Sequence, residues 1–318
     1  MRPAFAIAHL IHLGLGIVGS VLAVYEPLAG LALVALSLVS TFGDLTGSFF
    51  LVRRLTPVRA TQNVVSEEDD DKPGRLVLVA HYDAGRGGAL YDPRLRRWPT
   101  VMFWSLVVIA VCAVVRLIGL EPTWLTVIQF IPTVALIAAL PLFADVAVSG
   151  FEPGENRNAS GVATVLRLAE QYGGSFEHFD LTVLLTGAEQ PFSLGMRDWL
   201  GRHRHELDAE ETAVVCVDCA AYGTPHYATK EGLIFPARYH PALVTICDEL
   251  ETAKAYVSRE MSDAYLARTA GLPAIRISSL SARLDAPETI DTDALARTYD
   301  FMCDLLERID EEIGPRLA

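Results

Sequence analysis

The chain has 318 residues, 51% of them hydrophobic, and a formal net charge of −13. With a positive mean hydropathy, these figures exclude one ordinary soluble domain and require the apolar residues to be concentrated somewhere. The acidic balance also excludes a nucleic-acid binder, which needs a basic face to displace counterions from phosphates.

In chain order, four apolar stretches cover Ala4–Tyr25, 28–52, 100–120 and Thr123–Val148. Each reaches the roughly 20 residues that a helix needs to cross a bilayer. They make two tight hairpins, turning at Glu26-Pro27 and Glu121-Pro122. The first stretch runs straight into the second with no small-residue cleavage site, so it reads as an anchor and not a signal peptide. Arg2, Arg53, Arg54, Arg59, Arg94, Arg96 and Arg97 flank the open ends of the hairpins, while the turns carry Glu with only Arg116 nearby. The positive-inside bias then predicts an integral protein of the cell membrane, with both termini and the polar part in the cytoplasm. Asp44 and Asp145, near the cytoplasmic helix ends, read as interfacial anchors, and His9 and His12 as packing or headgroup contacts.

The polar residues are split around the second hairpin. The expected organisation is a first transmembrane hairpin at 1–52, the start of a polar domain at 53–99, a second hairpin at 100–148 inserted into that domain, and the rest of the domain at 149–318. Short connections on both sides of the insertion place the C-terminal strand edge of this domain near the bilayer. Within it, 75–82 (RLVLVAHY), 180–186, 213–218 and 273–278 are apolar, β-branched runs that read as strands. Helical patterns at Ser160–Tyr172, 193–206, 241–252, 262–270 and 292–313 alternate with them. The implied class is α/β, with a mostly parallel twisted sheet flanked by helices, plus four transmembrane helices in two hairpins. Cys216 and Cys219 spell C-x-x-C inside a strand-like run, where residues three apart point to opposite faces, so a shared zinc is not expected there. Five cysteines, one of them in a membrane stretch, fit reduced thiols better than a disulfide framework.

Such a sheet places its site at the C-terminal ends of its strands. Those ends carry His81 and Asp83, then Glu189 and Gln190, then Asp218. Across the polar domain, LVLVAHYDA, PGENRNASGVATVLRLAE, LTVLLTGAEQPFSLGMRDWL, VVCVDCAAYG and MSDAYLARTAGLPAI stand in the order found in one family. The sequence resembles the co-catalytic di-zinc aminopeptidases, of zinc-exopeptidase or transferrin-receptor-like peptidase fold.

The resemblance implies that His81 and Asp218 are zinc ligands, Asp83 the residue that orients His81, and Glu189 the general base. It also exposes departures. Arg157 stands where the bridging carboxylate belongs, Gln190 where a ligand carboxylate belongs, and Leu284, with Asp285 beside it, where the last His belongs. Ser262-Asp263-Ala264 replaces a pocket-lining Ser-Asp-His, leaving Asp263 as a pocket residue. Arg157 is thus expected to occupy the place of the metal pair, its fork binding the remaining carboxylates. Two alternatives remain open: a register shifted by one, with Glu155 or Asn156 near the metal, or a single zinc on His81, Asp218 and Asp285.

The function this implies is a membrane-anchored, zinc-aminopeptidase-like protein that has lost its di-zinc centre, binds no cofactor and serves as a binding or scaffold domain at the membrane. The alternative is a membrane-bound metallo-exopeptidase working with one zinc. The expected partners are the lipid bilayer and a membrane protein or its cytosolic tail, with no nucleic acid. A transporter-like role for the helices would rest on Asp44 and Asp145 alone. If the topology is right, a cysteine introduced in the acidic stretch 67–71 reacts with a membrane-impermeant maleimide only after cells are permeabilised; labelling of intact cells reverses the orientation.

Overall fold

The computed structural model describes residues 4–56, 61–92, 94–120, 122–189 and 192–314. Arg2, Arg59, Glu121 and Gln190 lie outside them. The chain divides into a helical unit, Met1–Ala60 with Arg86–Phe151, and an α/β unit, Thr61–Gly85 with Glu152–Ala318. Composition assigns all of 53–99 to the polar part, but the flanks of that segment are tied to the helices. Arg53 meets Asp44 at 3.5 Å, the Ala89 amide donates to Asp145 Oδ2 at 2.7 Å, and Arg86 donates to the carbonyls of Ala147 and Ser149.

The helical unit contains α1 (Ala4–Tyr25), α2 (Pro27–Thr46), α3 (Trp98–Leu117) and α4 (Thr123–Val148), each long and apolar enough to cross a membrane. Helix α2 stops short of the apolar stretch that contains it because Gly47, at φ 67°, takes the left-handed conformation that ends helices. Helices α1 and α2 approach at small residues: a Cβ on Gly30 would stand 2.3 Å from the Ala23 backbone nitrogen. Outward positions are apolar, with Val18, Leu28, Val111, Phe130 and Ile131 all more than half exposed. Inward positions include Ser20, Ser37, Ser40, Asp44, Arg116 and Gln129, all buried. Gln129 ties these together, donating to the Ser20 carbonyl at 2.6 Å and accepting from Arg116 Nε at 3.1 Å. Apolar outside and polar inside is the reverse of a water-soluble bundle and suits a lipid solvent.

The α/β unit is built on an eight-stranded sheet. Its strands are β1 (Val64–Glu67), β2 (Gly74–His81), β3 (Phe179–Thr186), β4 (Thr212–Asp218), β5 (Thr224–Glu231), β6 (Ala237–Arg238), β7 (Lys254–Val257) and β8 (Ala274–Leu280). The order is β1-β3-β2-β4-β8-β5-β6, with β7 beside β5. Strands β3, β2, β4 and β8 are mutually parallel, while β1, β5 and β6 add antiparallel edges. The central strands β4 and β8 are buried along their whole length, which explains their unbroken apolar runs.

Helices α5 (Ser160–Tyr172), α7 (Pro241–Glu249) and α9 (Thr292–Glu312) cover one face, and α6 (Leu194–His203) and α8 (Asp263–Thr269) belong to the other. On the first face Leu76, Leu78, Val215 and Ile277 meet Val165, Leu168, Phe301 and Leu305 in one cluster. The start of α5 lies hard against the end of β4: a Cβ on Gly161 would stand 2.6 Å from the Val217 carbonyl oxygen. Alanine is favoured over glycine by about 1 kcal/mol in an open helix. Here Gly161→Ala is expected instead to lower stability by about 1–3 kcal/mol, because α5 must back away from β4. A neutral or raised unfolding midpoint would contradict that packing.

Candidate functional site

Because β2, β3 and β4 run parallel, their C-terminal ends share one edge. His81 ends β2 and Asp218 ends β4, Asp83 follows β2 by two residues, and Glu189 follows β3 by three. His81, Asp83 and Asp218 are all buried, and Glu189 is half-buried. The Glu189 amide donates to Asp83 Oδ1 at 3.0 Å, and the Asn158 side-chain amide donates to the Asp83 carbonyl at 2.8 Å. Asp83 Oδ1 lies 3.6 Å from His81 Nδ1. Asp263, first residue of α8, accepts from the Thr186 hydroxyl at the end of β3. Thus His81, Asp83, Glu189, Asp218 and Asp263, separated by up to 182 residues in sequence, form one electrostatically coupled group.

Several carboxyl groups so close in a buried place cannot all ionise freely. Burial pushes Glu189 up to about 8, with Asp263, Asp83 and Asp218 adding to the rise and His81 opposing it. Burial likewise pushes Asp263 up to about 6. Burial alone would lower the His81 pKa, but the carboxyl groups of Glu189, Asp83 and Asp218 overcome it and raise the imidazole to about 10. In the metal-free site the surrounding carboxyl groups thus favour the protonated imidazole.

The cation that meets Asp218 comes from β8. Parallel pairing sets Cys216 beside Arg276 and Asp218 beside Ser278, so Arg276 and Ser278 share the face of Asp218. Arg276 reaches Asp218 Oδ2 at 2.8 Å, Glu231 Oε1 at 2.7 Å and Glu260 Oε2 at 2.9 Å. Ser278 donates to Asp218 Oδ1 at 2.5 Å. Both oxygens of Asp218 are thereby engaged. Glu231, fully buried, also accepts from Ser258, Ser262 and Tyr239.

Arg157, expected among the strand-end carboxylates, is elsewhere. It lies in a single π-helical turn, Glu155–Ala159, closed by the Ala159 amide on the Gly154 carbonyl at 2.9 Å. Glu288 accepts the backbone amides of Asn156 and Arg157, and its other oxygen meets Arg157 Nε at 2.9 Å. That carboxylate draws the guanidinium to itself, leaving the Arg157 side chain 36% exposed. The Asn156 side chain accepts from the Ala221 amide and that of Ser160 from the Ala220 amide, fixing the turn to the segment after β4.

Leu284 is exposed, at φ 57°, and Asp285 accepts from the Ser281 hydroxyl, so neither is drawn among the strand-end carboxyls. Gln190 is outside the described residues. Among the described residues, the trios of His, Cys, Asp or Glu whose ligand atoms all approach within 4.8 Å are His9–His12–Asp44 and Glu68–Asp70–Asp180; the strand-end group is not one of them. Cys216 and Cys219 are free and buried. Arg276, Glu231 and Ser278 were not anticipated. The signal was there for one of them, a lone charge in the strand-like run AIRISS.

Residues 144–314 match the model of peptidase family M28. No curated protein matches the chain. Among solved structures, a zinc aminopeptidase from Bacillus subtilis is 12% identical, with a TM-score of 0.44, over 77% of this chain and 49% of that one. This chain thus spans about half the length of that relative. A glutaminyl cyclase from Bacteroides thetaiotaomicron is 13% identical at a TM-score of 0.46, over 76% of each chain. LapB from Legionella pneumophila is 13% identical at a TM-score of 0.49, over 96% of this chain and 74% of that one.

The coupled group makes stability depend on pH. Folding raises His81 from its ordinary 6.5 to about 10, so its contribution is complete below 6.5 and is lost as pH rises toward 10. Glu189, raised from 4.5 to about 8, acts in the same direction. In chelator-containing buffer, the unfolding free energy is expected to fall from pH 4.5 upward through Glu189 and above pH 6.5 through His81, with a slope approaching about 1.4 kcal/mol per pH unit per proton. His81→Gln is expected to flatten that slope; an identical profile would remove His81 from the coupled group.

Proposed function

The chain belongs to peptidase family M28, and from that footing we propose that it is a membrane-anchored peptidase-fold protein whose strand-end site binds a partner and does not hydrolyse peptides. The observation that carries this reading is the capture of Asp218 by Arg276 and Ser278. A zinc ion at Asp218 would have to share that carboxylate with the Arg276 guanidinium, whose positive charge opposes a divalent cation beside it. Position 157 supplies a guanidinium and position 284 an aliphatic side chain, neither of which is a ligand. The residues present do not fit a pair of zinc ions.

The candidate partners are the bilayer itself and a membrane protein or its cytosolic tail, with the α/β unit on the cytoplasmic side as the basic flanks imply.

A second reading is supported by Glu189. A carboxyl group tuned to about 8 beside an imidazole has the acid–base character a hydrolase needs, and a single zinc near His81 would complete a metallo-exopeptidase.

The two readings separate in one set of assays on the purified full chain in detergent. Binding without hydrolysis predicts no release of amino acids from aminoacyl-coumarin substrates above the Glu189→Gln background, with or without added zinc. It also predicts that His81→Ala and Asp218→Asn leave the bound zinc per chain unchanged. Zinc-dependent turnover abolished by Glu189→Gln, or zinc lost in the His81 and Asp218 variants, would install the hydrolase.

A further inference from the structure

The helical unit holds a group that the peptidase fold does not explain. His9 and His12 are three residues apart on α1 and so share a face. Asp44 reaches them from the last turn of α2. All three side chains are fully buried, and their ligand atoms lie within 4.8 Å of one another. From this geometry we propose that His9, His12 and Asp44 bind a divalent transition-metal ion inside the helical unit.

The surroundings prepare the two imidazoles for that task. His12 Nε2 is 2.7 Å from the Ser40 hydroxyl, which leaves Nδ1 to face a metal. That nitrogen is buried and makes no hydrogen bond. A ligating histidine ordinarily has its other ring nitrogen held in this way. Ser37 donates to the His12 carbonyl at 2.7 Å, clamping α1 to α2 beside the group. The His9 ring stacks on Phe143 of α4, centroids 5.1 Å apart and nearly coplanar at 7°, which sets its orientation. The His9 and His12 rings meet edge to face at 5.3 Å.

Two imidazoles and a carboxylate match zinc and its first-row neighbours, and leave a fourth position for water or another ligand. Ligand atoms around a tetrahedral zinc stand about 3.3 Å apart. Ionisable groups among lipid-facing helices are costly unless they are paired or functional. The group lies within about two turns of the start of α1 and at the end of α2, so an ion need not cross the bundle to reach it.

Arg53 complicates the charge balance. Its guanidinium is 3.5 Å from Asp44 Oδ2 and lies over the Phe50 ring at 4.4 Å. A metal ion and this guanidinium compete for the same carboxylate, which yields a signature that a merely structural histidine pair would not have. Removing the competing cation should strengthen metal binding.

The test uses the full chain without an affinity tag, purified in detergent, stripped with chelator and titrated with Zn2+ or Co2+ alone. One ion per chain is expected, with binding weakened at least tenfold in His9→Ala, His12→Ala and Asp44→Asn. Binding should tighten severalfold in Arg53→Gln and stay unchanged in His81→Ala with Asp218→Asn. That last variant separates this site from the strand-end one, whose reading stands or falls on its own assays. If a variant fails to fold, X-ray absorption on the zinc-loaded wild type decides instead, two imidazoles around the ion being expected. Absence of tight binding, binding insensitive to His9 and His12, weaker binding in Arg53→Gln, or a spectrum without imidazole would each overturn the proposal.

Discussion

Arg276 sits in the middle of a fully buried central strand, with its side chain only 8% exposed. A guanidinium there never loses its charge, so the fold must supply carboxylates around it. It recruits Asp218 from β4, Glu231 from β5 and Glu260 from the segment between β7 and α8. Glu231 in turn accepts from Ser262, the residue before α8, and so helps to set where that helix begins. Asp263, next in the chain, is thereby delivered to Thr186 and to the coupled group around His81. One buried cation thus orders the strand-end site from behind.

The front of the site has a different economy. In the metal-free site the carboxyl groups around His81 raise its pKa, and burial, with the neighbouring carboxyl groups, raises that of Glu189. These shifts follow from burying like charges together, with the single imidazole as partial relief. The Arg157 guanidinium pairs outside this group. Its charge is met by Glu288, which also holds the π-helical turn in place through two backbone amides.

The helical unit repeats the theme with an apolar exterior. Its outer surface is aliphatic and aromatic, and polar side chains turn inward to bond one another. Asp44, which by position looks like an interfacial anchor, is fully buried and meets Arg53 from beyond the helix end. The same inward turn draws His9 and His12 to Asp44.

Hydropathy, strand–helix alternation and the order of motifs made the spans, the α/β class and the strand-end residues readable from the chain. These depend on local patterns that any similar sequence would share. Ser160–Tyr172 was bounded correctly because Gly173 and Gly174 end it, and the parallel strands bring His81, Asp83, Glu189 and Asp218 to one sheet edge, as their places at strand ends imply. Strands β1, β5, β6 and β7 escaped notice, since at the edges of a sheet the residues lack a clean apolar run, as in TPHYATKE. The identity of the cation beside Asp218 escaped too. Position 157 was placed in the right turn, but its side chain followed Glu288, 131 residues away, while Arg276 came to Asp218 through the pairing of β4 with β8. Residue order fixes which charges are present; long-range register and burial choose their partners, because an ion pair in a dry interior is settled by whichever opposite charge the fold brings within 3–4 Å.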